Sequence, residues 1–521
     1  MSTEQVQETA GSKLWKGFAT IIFTAQVLAS VILFVKAFLL GMIPDKYLYG
    51  MGIVLWLLLM VNALLLFVGM KRPGSAGRFL RRFAGILLTI FICFACVIGY
   101  QAMDKVKSTV KNVTAEQTGS DDAAVAVMNL YVVTTNPAKT AADCREYTIG
   151  TAAGSEAGNS KAALNKMSAE TGIAVRSKEF ASEEELISAL YNGEVKAIII
   201  NATKADILSE TEDYQSFVHM AKLIREYDIT AKDLAYISAD QSNATDNAMA
   251  DSDSGLTGNI TKTPFILYIS GSDTRNKQFK TSRSDVNILM VVNPNTKQIL
   301  LLNTPRDYYI PNPKSATGEK DKLTHLGLYG VGCSIKGLNN LYGCNINYSV
   351  QINFTGLVTL VDQLGGITVD NPQAFTREGY KYQKGKITMN GEQALGYCRE
   401  RYAFSAGDNM RGQNQMRVIT AIISKVTSSK SQVLKNYAGI MNSLSGLFRT
   451  SVPTSDIEKL VKMQLNDMAE WKVTSFAVTG SNGSEKTYSS PSHKAYVMWP
   501  NEKSVAEGSA KIRKVLNGEP L

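Results

Sequence analysis

Ser282-Arg283-Ser284-Asp285-Val286-Asn287-Ile288-Leu289-Met290-Val291-Val292 runs on through Ile299-Leu300-Leu301-Leu302-Asn303 into Pro305-Arg306-Asp307-Tyr308-Tyr309. Both apolar runs are rich in β-formers and too short to cross a membrane, which predicts two strands over 286–292 and 298–303. An arginine and a carboxylate stand at the mouth of the first run and again at the exit of the second. Folds of the α/β class place their chemistry at strand ends, so these charges mark a candidate site. A second dense cluster is Arg399-Glu400-Arg401, followed by Asp408, Arg411 and Gln415. Two separated clusters of arginine and carboxylate point to one site for a multiply charged anion and a metal ion.

Working outward, the first hundred residues hold three long apolar runs, roughly 18–43, 48–70 and 83–103. Each supplies the roughly 20 helical residues needed to cross about 30 Å of hydrocarbon, so three membrane helices are expected. A cleaved signal peptide fits the first run poorly, because its apolar core is too long and no small-x-small site follows. The loop Lys71–Arg82 carries five positive charges, Lys71, Arg72, Arg78, Arg81 and Arg82. By the positive-inside rule it is cytoplasmic, which puts the N-terminus inside and everything after about residue 104 outside.

Chain length alone suggests about three units. The alternation of elements predicts a small α/β domain over 104–240, a polar linker over 241–263 and a larger α/β domain over 264–521, with 1–103 as the membrane region. In the small domain, strands are expected at 128–133 and 195–200, with helices from about 161, from 182 and over 214–227. In the larger one, strands are expected at 265–270, 286–292, 298–303 and 346–352, with helices at 354–364, 391–399, 409–427 and 431–447. Gly150, Gly154 and Gly158 do not fit a dinucleotide fingerprint and read as loop glycines.

Composition narrows the chemistry. The net charge of +9 suits nucleic acid, an anionic membrane or an anionic substrate equally, so its placement has to decide. Only three histidines occur, which argues against a histidine-rich metal site or a histidine-based triad. Cys93 and Cys96 lie in an apolar run without zinc partners. Cys333 and Cys344 read either as a disulfide or as buried thiols.

Asp273 and Asp285 flank the strands 265–270 and 286–292, and an antiparallel pairing brings both to one sheet edge. Two carboxylates there suit Mg²⁺, which takes one or two and completes its octahedron with water and phosphate oxygens. Arg283, Arg306, Arg399, Arg401 and Arg411 offer planar forks that match phosphate oxygens. In an extended stretch Arg399 and Arg401 point the same way, and Asp408, Arg411 and Gln415 share a helix face. The helices 354–364 and 416–426 are apolar on more than one face, which raises a cavity for a long lipid tail as an alternative to plain core packing.

Ser282–Asp285, Pro305–Tyr309, Lys322-Leu323-Thr324-His325, Asn353-Phe354-Thr355-Gly356, Arg399–Arg401 and Arg411-Gly412-Gln413-Asn414-Gln415 together resemble the LytR-CpsA-Psr family of cell-wall ligases over about 265–425. The three spans and the extra outer domain look like its capsule-associated branch. The resemblance implies an α/β/α catalytic domain with a central mixed sheet. It also implies an Mg²⁺-dependent phosphotransferase, with pyrophosphatase as a side activity, outside the cell membrane. The donor would be a glycan linked to polyprenyl pyrophosphate and the acceptor a peptidoglycan hydroxyl, with membrane lipid and capsule assembly proteins as further partners. Asp273 and Asp285 would hold the metal. Arg283, Arg306, Arg399, Arg401, Arg411 and Gln415 would contact the pyrophosphate, with Lys336 as an additional candidate, and Arg306 and Asp285 would be catalytic.

The competing reading is a non-catalytic protein that captures a polyprenyl phosphate and regulates or scaffolds polymer export, since a clamp and a catalyst use the same residues. A membrane-bound transcription regulator has only the basic charge in its favour. The cytoplasmic parts are too small for a DNA-binding fold, so no nucleic-acid partner is expected.

Overall fold

The computed structural model describes residues 10–67, 75–115, 124–209, 217–230, 232–234, 256–272, 283–401, 403, 407–427 and 448–521. They divide into two compact units.

The first unit contains helices Ala10–Leu39, Asp45–Phe67 and Ser75–Ala115. Within them Leu14–Leu39, Asp45–Phe67 and Gly77–Asp104 are long and apolar enough to cross a membrane. Their interior is not purely apolar. The Asn62 amide donates to Gln26 and, at 2.7 Å, to the Thr89 hydroxyl, so each helix contributes one member of a buried polar cluster. Such bonds fix the register of helices that gain nothing from burying leucine against lipid. Gly85 makes room for this contact, since a Cβ there would lie 2.8 Å from Leu66. Lys36 pairs with Asp104 and lies over the Tyr100 ring.

Helix Thr454–Asp467 also belongs to this unit, through the Lys462–Asp45 ion pair at 2.9 Å and a Lys46 bond to the Asn466 carbonyl at 2.7 Å. A single domain over 264–521 was expected, so this helix departs from the expectation. Its amphipathic pattern shows that it packs, but not on which partner.

Among the described residues the second unit contains four two-stranded sheets, among them β9 Tyr309–Pro311 with β10 Lys320–Lys322 and β18 Gly480–Thr487 with β19 Ser490–Pro500, and two larger sheets. The smaller has strands in the order β3-β2-β4-β1-β5, with β1 Ala124–Val133, β2 Thr148–Ala152, β3 Arg176–Phe180, β4 Ala197–Asn201 and β5 Ala221–Thr230. The helix expected over 214–227 is replaced by β5. Only Phe217–Met220 is helical there, and Tyr214 lies outside the described residues. The reason is tertiary: β5 pairs with β1 along its length, burying Tyr227 and Ile229 with Asp228 between them turned away. That is the two-residue period of a strand.

The larger sheet is mixed, in the order β16-β11-β6-β7-β8-β17. Its strands are β6 Phe265–Ser272, β7 Val286–Asn293, β8 Gln298–Asn303, β11 Tyr348–Asn353, β16 Phe448–Thr450 and β17 Lys472–Ala477. The β6, β7 and β8 strands run antiparallel, whereas β11 joins β6 and β17 joins β8 in parallel. Alternate residues go to opposite faces. Ile266, Tyr268, Leu289, Val291, Leu300 and Leu302 form one core with helices Val331–Tyr342 and Glu502–Asn517. Leu267, Ile269 and Met290 face the other way, toward helices Phe354–Gln363 and Gly407–Thr427, which completes an α/β/α sandwich. Helix Gly391–Arg399 crosses Phe354–Gln363 so closely that a Cβ on Gly391 would lie 2.3 Å from the Val358 carbonyl.

Two hairpins, β12 Ile367–Asn371 with β15 Gly385–Met389 and β13 Phe375–Arg377 with β14 Tyr380–Tyr382, fill the segment before that helix. The helix expected over 431–447 and most of the expected linker 241–263 lie outside the described residues.

Candidate functional site

The short motifs around the opening stretch are tied together by backbone and buried hydroxyls. The Ser284 hydroxyl bonds Tyr268 at 2.9 Å and Ser270 at 2.8 Å and donates to the Val286 carbonyl, while Asn287 donates to the Ser284 carbonyl at 2.8 Å. Ser284 is thereby pinned in the interior, and its neighbours Arg283 and Asp285 are held at the sheet edge. The Asp285 amide bonds the Gly271 carbonyl at 2.8 Å, fixing it at the end of β6. Thr324 joins both halves, accepting from the Ser284 amide at 3.2 Å and donating its own amide to the Arg306 carbonyl at 2.8 Å. So Lys322–His325 works as a brace, with Lys322 and His325 buried.

Arg306 leaves β8 between two carboxylates. Its Nη1 lies 2.7 Å from Asp285 Oδ1, and its Nε lies 3.5 Å from Asp307. The buried Lys322 ammonium sits 3.6 Å from the other Asp307 oxygen. Alternation of cation and anion keeps this cluster affordable in a partly desolvated place. Beneath the brace, Asp321 is fully buried yet accepts bonds from His325 Nδ1 at 2.8 Å, the Lys322 amide at 2.8 Å and Ser489. Burial pushes its carboxyl up, but the His325 and Ser489 bonds outweigh this and hold it below the usual carboxylate range.

The second cluster comes from two helix ends. Helix Gly391–Arg399 stops at Glu400, whose extended backbone sends Arg399 and Arg401 to one side and the Glu400 carboxylate to the interior. Helix Gly407–Thr427 carries Arg411 and Gln415 one turn apart, followed by Val418, Ile419, Ile422 and Ile423 on the same stripe. Gly412 brings this helix against the end of β8, since a Cβ there would sit 2.2 Å from the Asn303 amide. Asn353 caps helix Phe354–Gln363 by accepting from the Gly356 amide at 2.8 Å, which accounts for the Asn353–Gly356 motif.

These parts enclose a cavity of about 510 Å³. Its deep wall is aliphatic, from Leu267, Ile269, Met290, Leu357, Leu360 and Ile419, joined by other residues of the same strands and helices. Its polar wall holds Asp285, Arg306, Arg377, Arg399, Arg401, Arg411 and Gln415. Arg399 also lies over the Phe354 ring, 4.8 Å from its centroid. Buried Cys398 lines the cavity too, and burial pushes its thiol up to about 12, so it adds no charge beside the arginines.

Of the residues singled out in the sequence, Asp285, Arg306, Arg399, Arg401, Arg411 and Gln415 meet in this cavity. Arg283 stands two residues from Asp285 and does not line it. Asp273 lies outside the described residues. Lys336 does not join the cluster. It is exposed on helix Val331–Tyr342, which packs on the opposite face of the sheet through Cys333, Ile335 and Leu338. Cys333 and Cys344 are free thiols, raised by burial to about 11 and about 12. Arg377, on β13, is a cavity arginine that the sequence reading missed.

Among the described residues no group of three or more histidine, cysteine or acidic side chains is placed to hold a metal. Magnesium asks for less, one or two carboxylates with phosphate and water oxygens, and Asp285 on the cavity wall fits that requirement.

The model of the LytR_cpsA_psr family matches residues 231–505, more than half of the chain. The chain is 37% identical over 201 residues to the polyisoprenyl-teichoic acid–peptidoglycan teichoic acid transferase TagU of Enterococcus faecalis, covering 38% of this chain and 65% of that protein. It is 36% identical over 165 residues to the TagU of Bacillus subtilis, covering 32% and 53%. The chain thus spans less than two thirds of the length of these relatives. Among solved structures, that of B. subtilis TagV aligns with 50% of this chain and 99% of its own, with 23% identity and a TM-score of 0.42.

Proposed function

Because the chain belongs to the LytR_cpsA_psr family, we propose that it transfers a phosphate-linked glycan from a polyprenyl pyrophosphate carrier to a peptidoglycan hydroxyl on the outer face of the cell membrane. The observation that carries this reading is one cavity whose deep wall is aliphatic and whose polar wall holds five arginines, 306, 377, 399, 401 and 411. Few ligands need both surfaces. A lipid pyrophosphate does, since its tail seeks apolar contact and its head presents several oxygens to planar guanidinium forks.

Phosphoryl transfer asks the protein mainly to position the reactants and neutralise charge. The Arg399 and Arg401 side chains and the Arg411–Gln415 stripe bind the head, while Arg306 stands beside Asp285 at the sheet edge. The aliphatic wall excludes water, which strengthens each charged contact. Magnesium held by Asp285 and Asp273 would supply further neutralisation of the diphosphate.

Two experiments test this reading. The full chain in detergent, given a polyprenyl-pyrophosphate oligosaccharide, Mg²⁺ and peptidoglycan fragments, should join oligosaccharide to peptidoglycan and release polyprenyl phosphate. Tight binding of the lipid without turnover would favour the non-catalytic capture reading instead. The second experiment concerns orientation. A reporter fused at Gly74 should report the cytoplasm and one fused after Ser108 the outer face, because the five positive charges of Lys71–Arg82 resist translocation. The reverse pattern would remove the site from its substrates.

A further inference from the structure

The turn between β13 and β14 places a carboxylate among the cavity arginines. Glu378 Oε1 lies 3.0 Å from Arg399 Nη1 and 3.4 Å from Arg377 Nε, so one oxygen bridges two arginines of the polar wall. Arg377 is held from behind by the buried Glu400, 3.5 Å from its Nη1. The position of Glu378 is not incidental. It and Gly379 form a two-residue turn with φ of +50° and +82°, the left-handed pair that closes a tight hairpin. Glutamate is a costly choice for the first of these positions. The hairpin is also locked in place: the Tyr382 hydroxyl donates to the Gln393 carbonyl at 2.8 Å, and the Phe375 and Tyr382 rings stack 4.5 Å apart beside Tyr397. Gly396 lets Tyr382 approach, since a Cβ there would meet its hydroxyl at 2.6 Å. Helix Gly391–Arg399 and the turn are therefore packed against each other.

We propose that Glu378 is a resident anion on Arg377 and Arg399, which the incoming lipid diphosphate displaces and which returns to help expel the lipid monophosphate left after transfer. This rests on the lipid pyrophosphate reading of the cavity. Glu378 is 37% exposed on its side chain, so it can turn into solvent when a stronger anion arrives. A diphosphate offers oxygens on two phosphorus atoms and reaches several arginines at once. A monophosphate makes fewer charge-assisted contacts, so the same cost of displacing the tethered carboxylate leaves it more weakly bound. The transfer reaction converts the lipid from diphosphate to monophosphate, so return of Glu378 to the two arginines also favours release of the spent carrier.

The test uses the full chain in detergent, with geranyl pyrophosphate and geranyl phosphate titrated by calorimetry. In Glu378→Gln the side chain keeps its size and loses its charge. Both lipids should bind more tightly, by about three- to tenfold, as befits a partly exposed ion pair. Arg377→Gln should weaken the diphosphate, and the Glu378→Gln gain should shrink in the double variant because the two residues share one contact. Unchanged or weaker binding of the monophosphate by Glu378→Gln overturns this inference and leaves the proposed function standing. If the unaltered chain binds neither lipid, both fall.

Discussion

On the proposed function, Asp285→Asn should lower the single-turnover rate of glycan transfer by about a hundred- to a thousandfold, the scale on which one preorganised electrostatic contact at a reaction centre is lost. Asp285 stands near the start of the opening stretch, its backbone fixed by Gly271 and its side chain on the cavity wall, 2.7 Å from Arg306. The amide keeps the shape and one oxygen but removes the negative charge. Arg306 then loses the partner that aims it, and a bound magnesium would lose a hard anionic ligand. The side chain faces the cavity rather than the core, so the thermal unfolding temperature should stay within a few degrees of the unaltered chain. Raising the Mg²⁺ concentration should recover part of the rate if Asp285 is a metal ligand, and none of it if its whole role is to orient Arg306. An unchanged rate at low Mg²⁺ would remove Asp285 from the reaction altogether.

Much of this arrangement was legible in the sequence because its parts obey local rules. The runs 286–292 and 298–303 are β-rich and bounded by polar residues, and they appear as β7 Val286–Asn293 and β8 Gln298–Asn303. Arg411 and Gln415 share a face because helical residues four apart must. Arg399 and Arg401 share one because the chain is extended at Glu400.

What escaped depends on contacts that spacing does not encode. Lys336 sits close in sequence to the Lys322–His325 brace, but nothing local says which face of a sheet a helix will cover. The same ignorance hid the attachment of helix Thr454–Asp467 to the start of helix Asp45–Phe67. Residues 221–227 read as helical until β1 supplies the pairing that makes them part of a strand. Arg377 stands outside the two charged clusters, among the aromatic residues Phe375, Tyr380 and Tyr382 that flank Glu378-Gly379. That pattern could have pointed to a hairpin, since a two-residue turn ending in glycine between β-formers favours it. Nothing in it said that the strand would end on the cavity.

The same geometry separates catalysis from capture at Arg306. Its guanidinium spans two carboxylates, Asp285 through Nη1 at 2.7 Å and Asp307 through Nε at 3.5 Å, and Asp307 is in turn shared with Lys322 at 3.6 Å. Arg306→Lys retains one positive charge but cannot make both contacts, because an ammonium has no planar fork. Ground-state binding of a lipid pyrophosphate still has Arg377, Arg399, Arg401 and Arg411 on the same wall, so its affinity should fall only severalfold. If Arg306 stabilises charge that builds on the transferred phosphate, the transfer step loses more than binding does, since only contacts stronger in the transition state accelerate it. One charge-assisted contact is worth roughly 1.5 to 3 kcal/mol, or about ten- to a hundredfold in rate. Lipid affinity and single-turnover rate measured side by side on this variant decide the matter. A rate loss well beyond the affinity loss assigns Arg306 to the reaction. Equal losses would mean that Arg306 only holds the lipid, and a protein that captures a polyprenyl phosphate without turning it over would then fit the cavity equally well.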